Sequence, residues 1–161
     1  MSAKAEDKKE ELISSLIEVR GKILQAVKNS PPEKHDAAFL GTWSIKDLLA
    51  HLVGWDYANL LAVIEISSGQ VPSFYQFYDR DWSGFNAHLI GTYKRDDLTK
   101  LIRSAKDSHR VLLECLKNLP AVEFPKDRGL RFKGYKIIIS RLLQVEIEDE
   151  KEHLNQINEF I

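Results

Sequence analysis

The sequence has one cysteine, Cys115, and one methionine, at its start. A lone cysteine excludes an internal disulfide framework and every zinc site built from several thiolates, and it fits a reducing compartment, the cytoplasm. Charge of either sign is not in excess: 23 basic residues stand against 24 acidic ones. That balance argues against a whole-protein field for nucleic acid or for an anionic membrane, so the expected partner is a small molecule, with no nucleic acid and no membrane. No run of about 18 apolar residues occurs, and the opening "MSAKAEDKKEELISS" lacks the apolar region of a signal peptide. Repeats, low-complexity tracts and linkers are also missing. What remains is 161 residues, 43% of them hydrophobic, enough for one core and a single domain over residues 1–161.

The apolar residues recur at helical spacing in four long segments. From about Glu6 to Asn29 they fall at Leu12, Ile13, Leu16, Ile17, Ile23, Leu24 and Val27, before "SPPEKHD" ends the helix. Ser44 and Asp47 then form a capping-box-like pair ahead of Leu48, Leu49, Leu52, Val53, Leu60, Leu61 and Ile64, in a helix ending near Ser67. A third helix starts at Asp96 or Asp97 and carries Leu98, Leu101, Ile102, Ala105, Leu112, Leu116 and Leu119 until Pro120 stops it. The fourth is expected from Tyr135 to Phe160; its "KIIISRLLQV" has the β-branched look of a strand, but the apolar pattern continues through Ile147, Leu154 and Ile157. The fold class is all-α, a four-helix bundle.

Between the second and third helices lies a connection from Gly69 to Arg95, too long for an up-down-up-down bundle. A crossover lets those helices run parallel, in up-down-down-up order. The crossover holds five aromatic residues between Phe74 and Trp82, which either cover the side of the bundle or form a lid over a pocket. Residues 121–134 form an exposed excursion whose basic side chains are read as solvated.

Polar residues interrupt the core-facing stripes in the fourth helix. One stripe is apolar except for Glu150; its neighbour changes from Ile138, Leu142 and Val145 to Asp149, His153 and Gln156. Asp149 and His153 are four residues apart, so they point the same way one turn apart, either as a hydrogen-bonded pair or as two ligands of one metal ion. On the second helix His51 flanks the buried face, about 10 Å from the helix start, while His153 lies about 12 Å from the end of the fourth. In up-down-down-up order those two ends coincide, and His51, Asp149 and His153 converge; in up-down-up-down order they stand far apart. Two histidines and a carboxylate make an open divalent site with positions left for water or substrate. Asp47 is placed to orient the His51 imidazole. At the same depth on the first helix, Gly21 leaves space and Arg20 offers an anion-binding guanidinium. His109, about 18 Å along the third helix, is either structural or part of a pocket floor.

"GTWSIKDLLAHLVGWD", residues 41–56, resembles the helix-two signature of the DinB-like superfamily of four-helix bundles: a tryptophan and serine at the cap, a D-x-x-x-H turn and a G-W pair. "HLNQI", residues 153–157, is similar to the final motif of that superfamily. Asn86 in the crossover, the "RDDL" before the third helix and the Ser108-His109 pair lean toward the colibactin self-resistance (ClbS/DfsB) branch. The resemblance implies an up-down-down-up bundle and, in many members, a three-histidine nickel, zinc or iron site. His51 and His153 match two of those ligands, and Asp149 stands where the third histidine would be. It also implies thiol-dependent transfer or isomerisation, or, in the resistance branch, hydrolytic opening of a reactive cyclopropane.

The expectation is therefore a cytoplasmic small-molecule enzyme, a detoxification hydrolase or thiol-dependent transferase. His51, Asp149 and His153 ligate a divalent metal (Zn, Ni or Fe), or His51 or His153 acts as general base without one. Arg20, Trp55, Asn86 and His109 shape the substrate pocket. The alternative is a non-catalytic bundle that sequesters a ligand or forms a homodimer through the aromatic crossover.

Overall fold

The structure, a computed structural model, describes residues 2–78 and 82–161. Four long helices carry the fold: α1 (Ser2–Asn29), α2 (Ile45–Ser67), α5 (Leu98–Asn118) and α6 (Ile139–Phe160). Two shorter ones, α3 (Tyr75–Tyr78) and α4 (Trp82–Tyr93), lie in the crossover. A two-residue hairpin, β1 (Arg131–Phe132) and β2 (Tyr135–Lys136), precedes α6.

Helix ends follow local chemistry. Ser44 accepts from the Asp47 amide while the Asp47 carboxylate accepts from the Ser44 amide, a complete capping box at the start of α2. Asp97 caps α5 by accepting from the Lys100 amide at 3.2 Å. No side chain caps α6; the Ser140 amide instead donates to the Phe124 carbonyl at 2.9 Å, so the preceding loop satisfies one free amide of its first turn.

The order is up-down-down-up. Leu12 and Leu16 of α1 share a core cluster with Leu143 and Ile147 of α6, and Arg20 further along α1 meets Glu150 further along α6, so these two helices run parallel. α2 and α5 both run against α1: Ile66 and Leu116 join the Leu12 cluster, whereas Leu49 and Leu101 join the cluster around Ile23 and Val27. α2 is by composition long and apolar enough to cross a membrane, but 67% of its most apolar window is buried in the bundle, as in a core helix. Fully buried leucines such as Leu12, Leu112 and Leu143 each contribute about 1.5–3 kcal/mol.

One sequence expectation needs correction here. The fourth helix starts at Ile139, not Tyr135, because Lys133 and Gly134 both take positive φ (49° and 81°) and turn the chain into a hairpin that pairs Phe132 with Tyr135. This is the two-residue primed turn that matches strand twist, with lysine in place of the usual asparagine or aspartate. The expected crossover is present, and its second half is α4, whose Leu89 sits against Gly54 of α2. Of the five crossover aromatics, the side chains of Phe77 and Tyr78 lie outside the described residues.

Candidate functional site

The antiparallel course of α2 and α6 brings His51 beside His153, with ring centroids 5.3 Å apart and planes at 84°. Asp149, one turn before His153, places Oδ2 3.6 Å from His153 Nε2. One ligand atom from each of His51, Asp149 and His153 lies within 4.8 Å of the others. Both histidines are buried, and the Trp43 ring packs on His51 at 4.8 Å. His51 Nδ1 and His153 Nε2 are buried nitrogens without a hydrogen-bond partner among the described residues, whereas His153 Nδ1 meets Gln156 Oε1 at 2.8 Å. Buried polar atoms are almost always paired, so two orphaned nitrogens beside one carboxylate fit a divalent cation.

The environment separates the two imidazoles. Burial, reinforced by His153 and opposed by Asp149, pushes His51 down to about 3, which keeps it neutral and ligand-competent. For His153, burial also favours the neutral form, but the Asp149 carboxylate and Gln156 outweigh it and raise the value above the ordinary 6.5. The hydrogen-bonding contact with His153 lowers Asp149 in turn.

A cavity of about 310 Å³ opens beside this cluster, lined by His51, Trp55 and Asn59 of α2, Trp82 and Asn86 of α4, and Leu142, Val145, Glu146 and Asp149 of α6. Trp55 Nε1 donates to Asn86 Oδ1 at 2.8 Å, fixing the crossover to the cavity wall. Phe74, Trp82 and Phe85 gather on Trp55 with centroid separations of 5.5, 5.6 and 5.3 Å, so these crossover aromatics cover the flank of the bundle while Trp82 also borders the cavity. Glu146 was not singled out by sequence reasoning. Burial raises its carboxyl well above the ordinary value, and Glu150, Asp56 and Asp149 add to the effect.

Four sequence-predicted roles are not met in the structure. Arg20 does not reach the cavity. Its Nε and Nη2 donate to Glu150 (2.8 and 3.2 Å), its Nη1 and Nη2 donate to Asp56 (2.8 and 2.9 Å), and Nη1 also donates to the Ala105 carbonyl (3.0 Å), which leaves no donor for an anionic ligand. His109 joins the same buried network rather than a pocket floor: Nε2 bonds the Leu16 carbonyl and Nδ1 lies 3.6 Å from Asp56 Oδ1. Ser108 completes it by donating to Asp56 Oδ2 at 2.6 Å. Asp47 is taken up by its capping box and by Lys94 at 2.8 Å, so it does not orient His51. Gly21 is exposed, with open space beyond it, and adds nothing to the cavity.

The network around Arg20 joins all four long helices and sets their rotation. Glu150 turned toward Arg20 leaves Asp149, the next residue on α6, facing α2; Asp56 held by Arg20 leaves Trp55 facing the cavity. The signals were present in the sequence as an arginine at mid-helix and a glutamate breaking an apolar stripe.

Residues 15–157 match the family model of the DinB superfamily. Comparison with curated proteins gives no match. Among solved structures the fold is similar to the crystal structure of colibactin self-resistance protein ClbS in complex with a dsDNA, at 18% sequence identity and a TM-score of 0.71, covering 94% of this chain and 93% of that one. That a protein of this fold is bound to double-stranded DNA overturns the exclusion of nucleic acid drawn above from net charge. Net charge is a sum, and it conceals segregation: residues 126–141 hold six basic residues and one acidic, leaving 17 basic against 23 acidic elsewhere. The match over residues 15–157 establishes that the chain belongs to the DinB superfamily.

Proposed function

We propose that the protein is a small-molecule enzyme whose reaction takes place in the α2–α6 cavity, with a divalent cation held by His51, Asp149 and His153. The observation that supports this reading is the pair of buried nitrogens, His51 Nδ1 and His153 Nε2, that have no hydrogen-bond partner among the described residues and lie with Asp149 in one cluster. A cation held there supplies Lewis acidity and a water acidified toward neutrality, which suits hydrolysis of an electrophile or its capture by a thiolate. The protein's own part is to keep His51 neutral by burial, to hold Asp149 within reach of His153, and to present Trp55, Asn86 and Glu146 along the cavity. Glu146, held toward its protonated form, is the group in the lining able to pass a proton to a leaving atom.

Elemental analysis of untagged protein beside its His51→Ala variant tests this. A stoichiometric divalent metal in the parent and its loss in the variant is expected; equal metal per chain in both would remove the ligand assignment. Turnover of an epoxide or cyclopropane electrophile with and without added thiol then separates hydrolysis from transfer.

A second reading, supported by the basic hairpin segment, adds nucleic acid as a partner. Arg131 and Arg141 are exposed and Lys136 is half-buried, Arg131 and Lys136 both beside Asp127, and Tyr135 is 74% exposed among them. Binding of a fluorescent DNA duplex that weakens steeply with salt, and whose salt slope falls in a Lys136→Glu, Arg141→Glu variant, supports this reading; salt-insensitive or absent binding rejects it.

A further inference from the structure

His51, Trp55 and Asn59 recur every four residues on α2, so one stripe of that helix lines the cavity from the histidine cluster to a point about 12 Å further on. Asn59 marks the far end. It is 2% exposed, and its Nδ2 has no hydrogen-bond partner among the described residues. An amide donor left unpaired in a protein interior is destabilising unless something else meets it. An apolar side chain at this position would avoid that cost, as the buried Ala62, Val63 and Ile66 further along the same helix do in the core.

The charges around the cavity limit what can satisfy the donor. Glu146 and Asp149 both line it, and no lysine or arginine among the described residues does. Arg20, the nearest buried guanidinium, is fully engaged by Asp56 and Glu150. A carboxylate or phosphate entering the far end would shed its hydration with no counter-cation beside it, and burying an unpaired charge is costly. An uncharged carbonyl oxygen meets no such penalty. Trp55, Leu142 and Val145 give the lining its apolar surface.

We propose that Asn59 is a specificity-determining residue: the cavity takes an elongated, uncharged ligand whose apolar midsection lies against Trp55 and whose far carbonyl oxygen, that of an amide, ester or ketone, accepts a hydrogen bond from Asn59 Nδ2. The opposite end of the ligand then faces His51, Asp149 and His153. This assignment rests on the cavity being the substrate site and does not depend on the identity or presence of the cation.

The test is ligand-observed NMR on the full chain with two probes of equal length, 4-phenylbutanamide and 4-phenylbutanoate. The parent is expected to bind the amide about tenfold more tightly than the carboxylate, and Asn59→Leu to lose about tenfold toward the amide while the carboxylate is unchanged. Asn59→Ser, smaller and still polar, serves where the leucine variant lacks the parent's helical circular dichroism. Equal binding of the two probes, tighter binding of the carboxylate, an unaltered amide affinity in both variants, or no saturable binding of either probe overturns the assignment. Metal content measured on the same samples keeps the two readings apart. Metal-free protein with an Asn59-dependent amide preference discards the cation and retains the subsite, and metal-loaded protein without that preference does the reverse.

Discussion

His51 and His153 meet edge to face, their ring centroids 5.3 Å apart, although 101 residues separate them in the chain and each carries a buried nitrogen without a hydrogen-bond partner among the described residues. Two imidazoles this close cannot both be protonated without repulsion, and the asymmetry around them decides which one takes the proton. Asp149 stands against His153 and Trp43 against His51, so the charge settles on His153.

A histidine titration followed by NMR makes this measurable. His51 is expected to stay neutral down to about pH 3, and His153 to titrate above the ordinary histidine midpoint. Asp149→Asn removes the carboxylate that raises His153, so its midpoint should fall in that variant. Two overlapping titrations near the ordinary histidine value would contradict the asymmetry. Cation affinity should follow the same proton: it rises with pH through the His153 midpoint and then levels, because His51 has no proton to lose.

The Arg20 network sets a different expectation. Arg20→Met leaves Asp56 and Glu150 buried without their shared counter-charge, and breaking a buried pair from one side costs about 3–5 kcal/mol. Urea denaturation should show that loss, with a lower midpoint and an unchanged slope. Arg20→Lys should rescue little, since an ammonium cannot donate in two parallel pairs to carboxylates on two helices. A variant as stable as the parent would mean that the network orients the helices without holding them together.

How much of this was legible in the sequence follows from how each feature is encoded. The convergence of His51, Asp149 and His153 was readable because it needs only helix periodicity, two end-to-end distances and a crossover long enough to make α2 and α5 parallel. The destination of Arg20 was not readable. A mid-helix arginine is equally consistent with an anion site, and its partners, Asp56 and Glu150, are 36 and 130 residues away. Asp56 looked like the tail of a motif and Glu150 like a flaw in a stripe; only the packed bundle shows that they answer one another. The hairpin was hidden for a local reason. Its turn is Lys133-Gly134, and the isoleucines that follow fit a strand or a helix start equally well. Asn59 and Glu146 lay unnoticed because a single polar residue on a helix carries no period of its own.

Glu146 gives a pH-dependent stability. Its carboxyl is raised in the fold above the ordinary 4.5, so as pH rises the unfolded chain loses this proton first. Stability from this group is therefore present at low pH and lost as pH rises through the window from 4.5 to the raised value. Glu146→Gln keeps the shape and removes the ionisation. Thermal melts should show little difference between variant and parent at about pH 4.5 and a growing advantage for the variant toward about pH 8. A constant difference across that range would place the carboxylate in contact with water in the folded state.

Gly54 gives the last prediction, and its sign runs against helix propensity. Replacing a mid-helix glycine by alanine ordinarily stabilises by about 1 kcal/mol, because the unfolded chain loses freedom and the helix gains a better former. Here a Cβ on residue 54 would stand 2.7 Å from Leu89 Cβ and 3.1 Å from Leu89 Cγ, closer than carbon atoms pack. Leu89 Cβ is tied to the α4 backbone and cannot swing away as the end of a long side chain would. Gly54→Ala must therefore push α4 off α2, at the cost of about 1–3 kcal/mol typical of overpacking. Because α4 also carries Asn86 and Trp82, the displacement should weaken the hydrogen bond from Trp55 to Asn86 and alter the cavity wall. Denaturation midpoints and tryptophan fluorescence would report the two effects separately. Adding Leu89→Ala leaves Cβ in place and removes only the outer carbons, so the double variant should relieve little of the cost. Full recovery in that double variant would show that Leu89 Cγ and its methyls, not the approach of the α4 backbone, require glycine at this position.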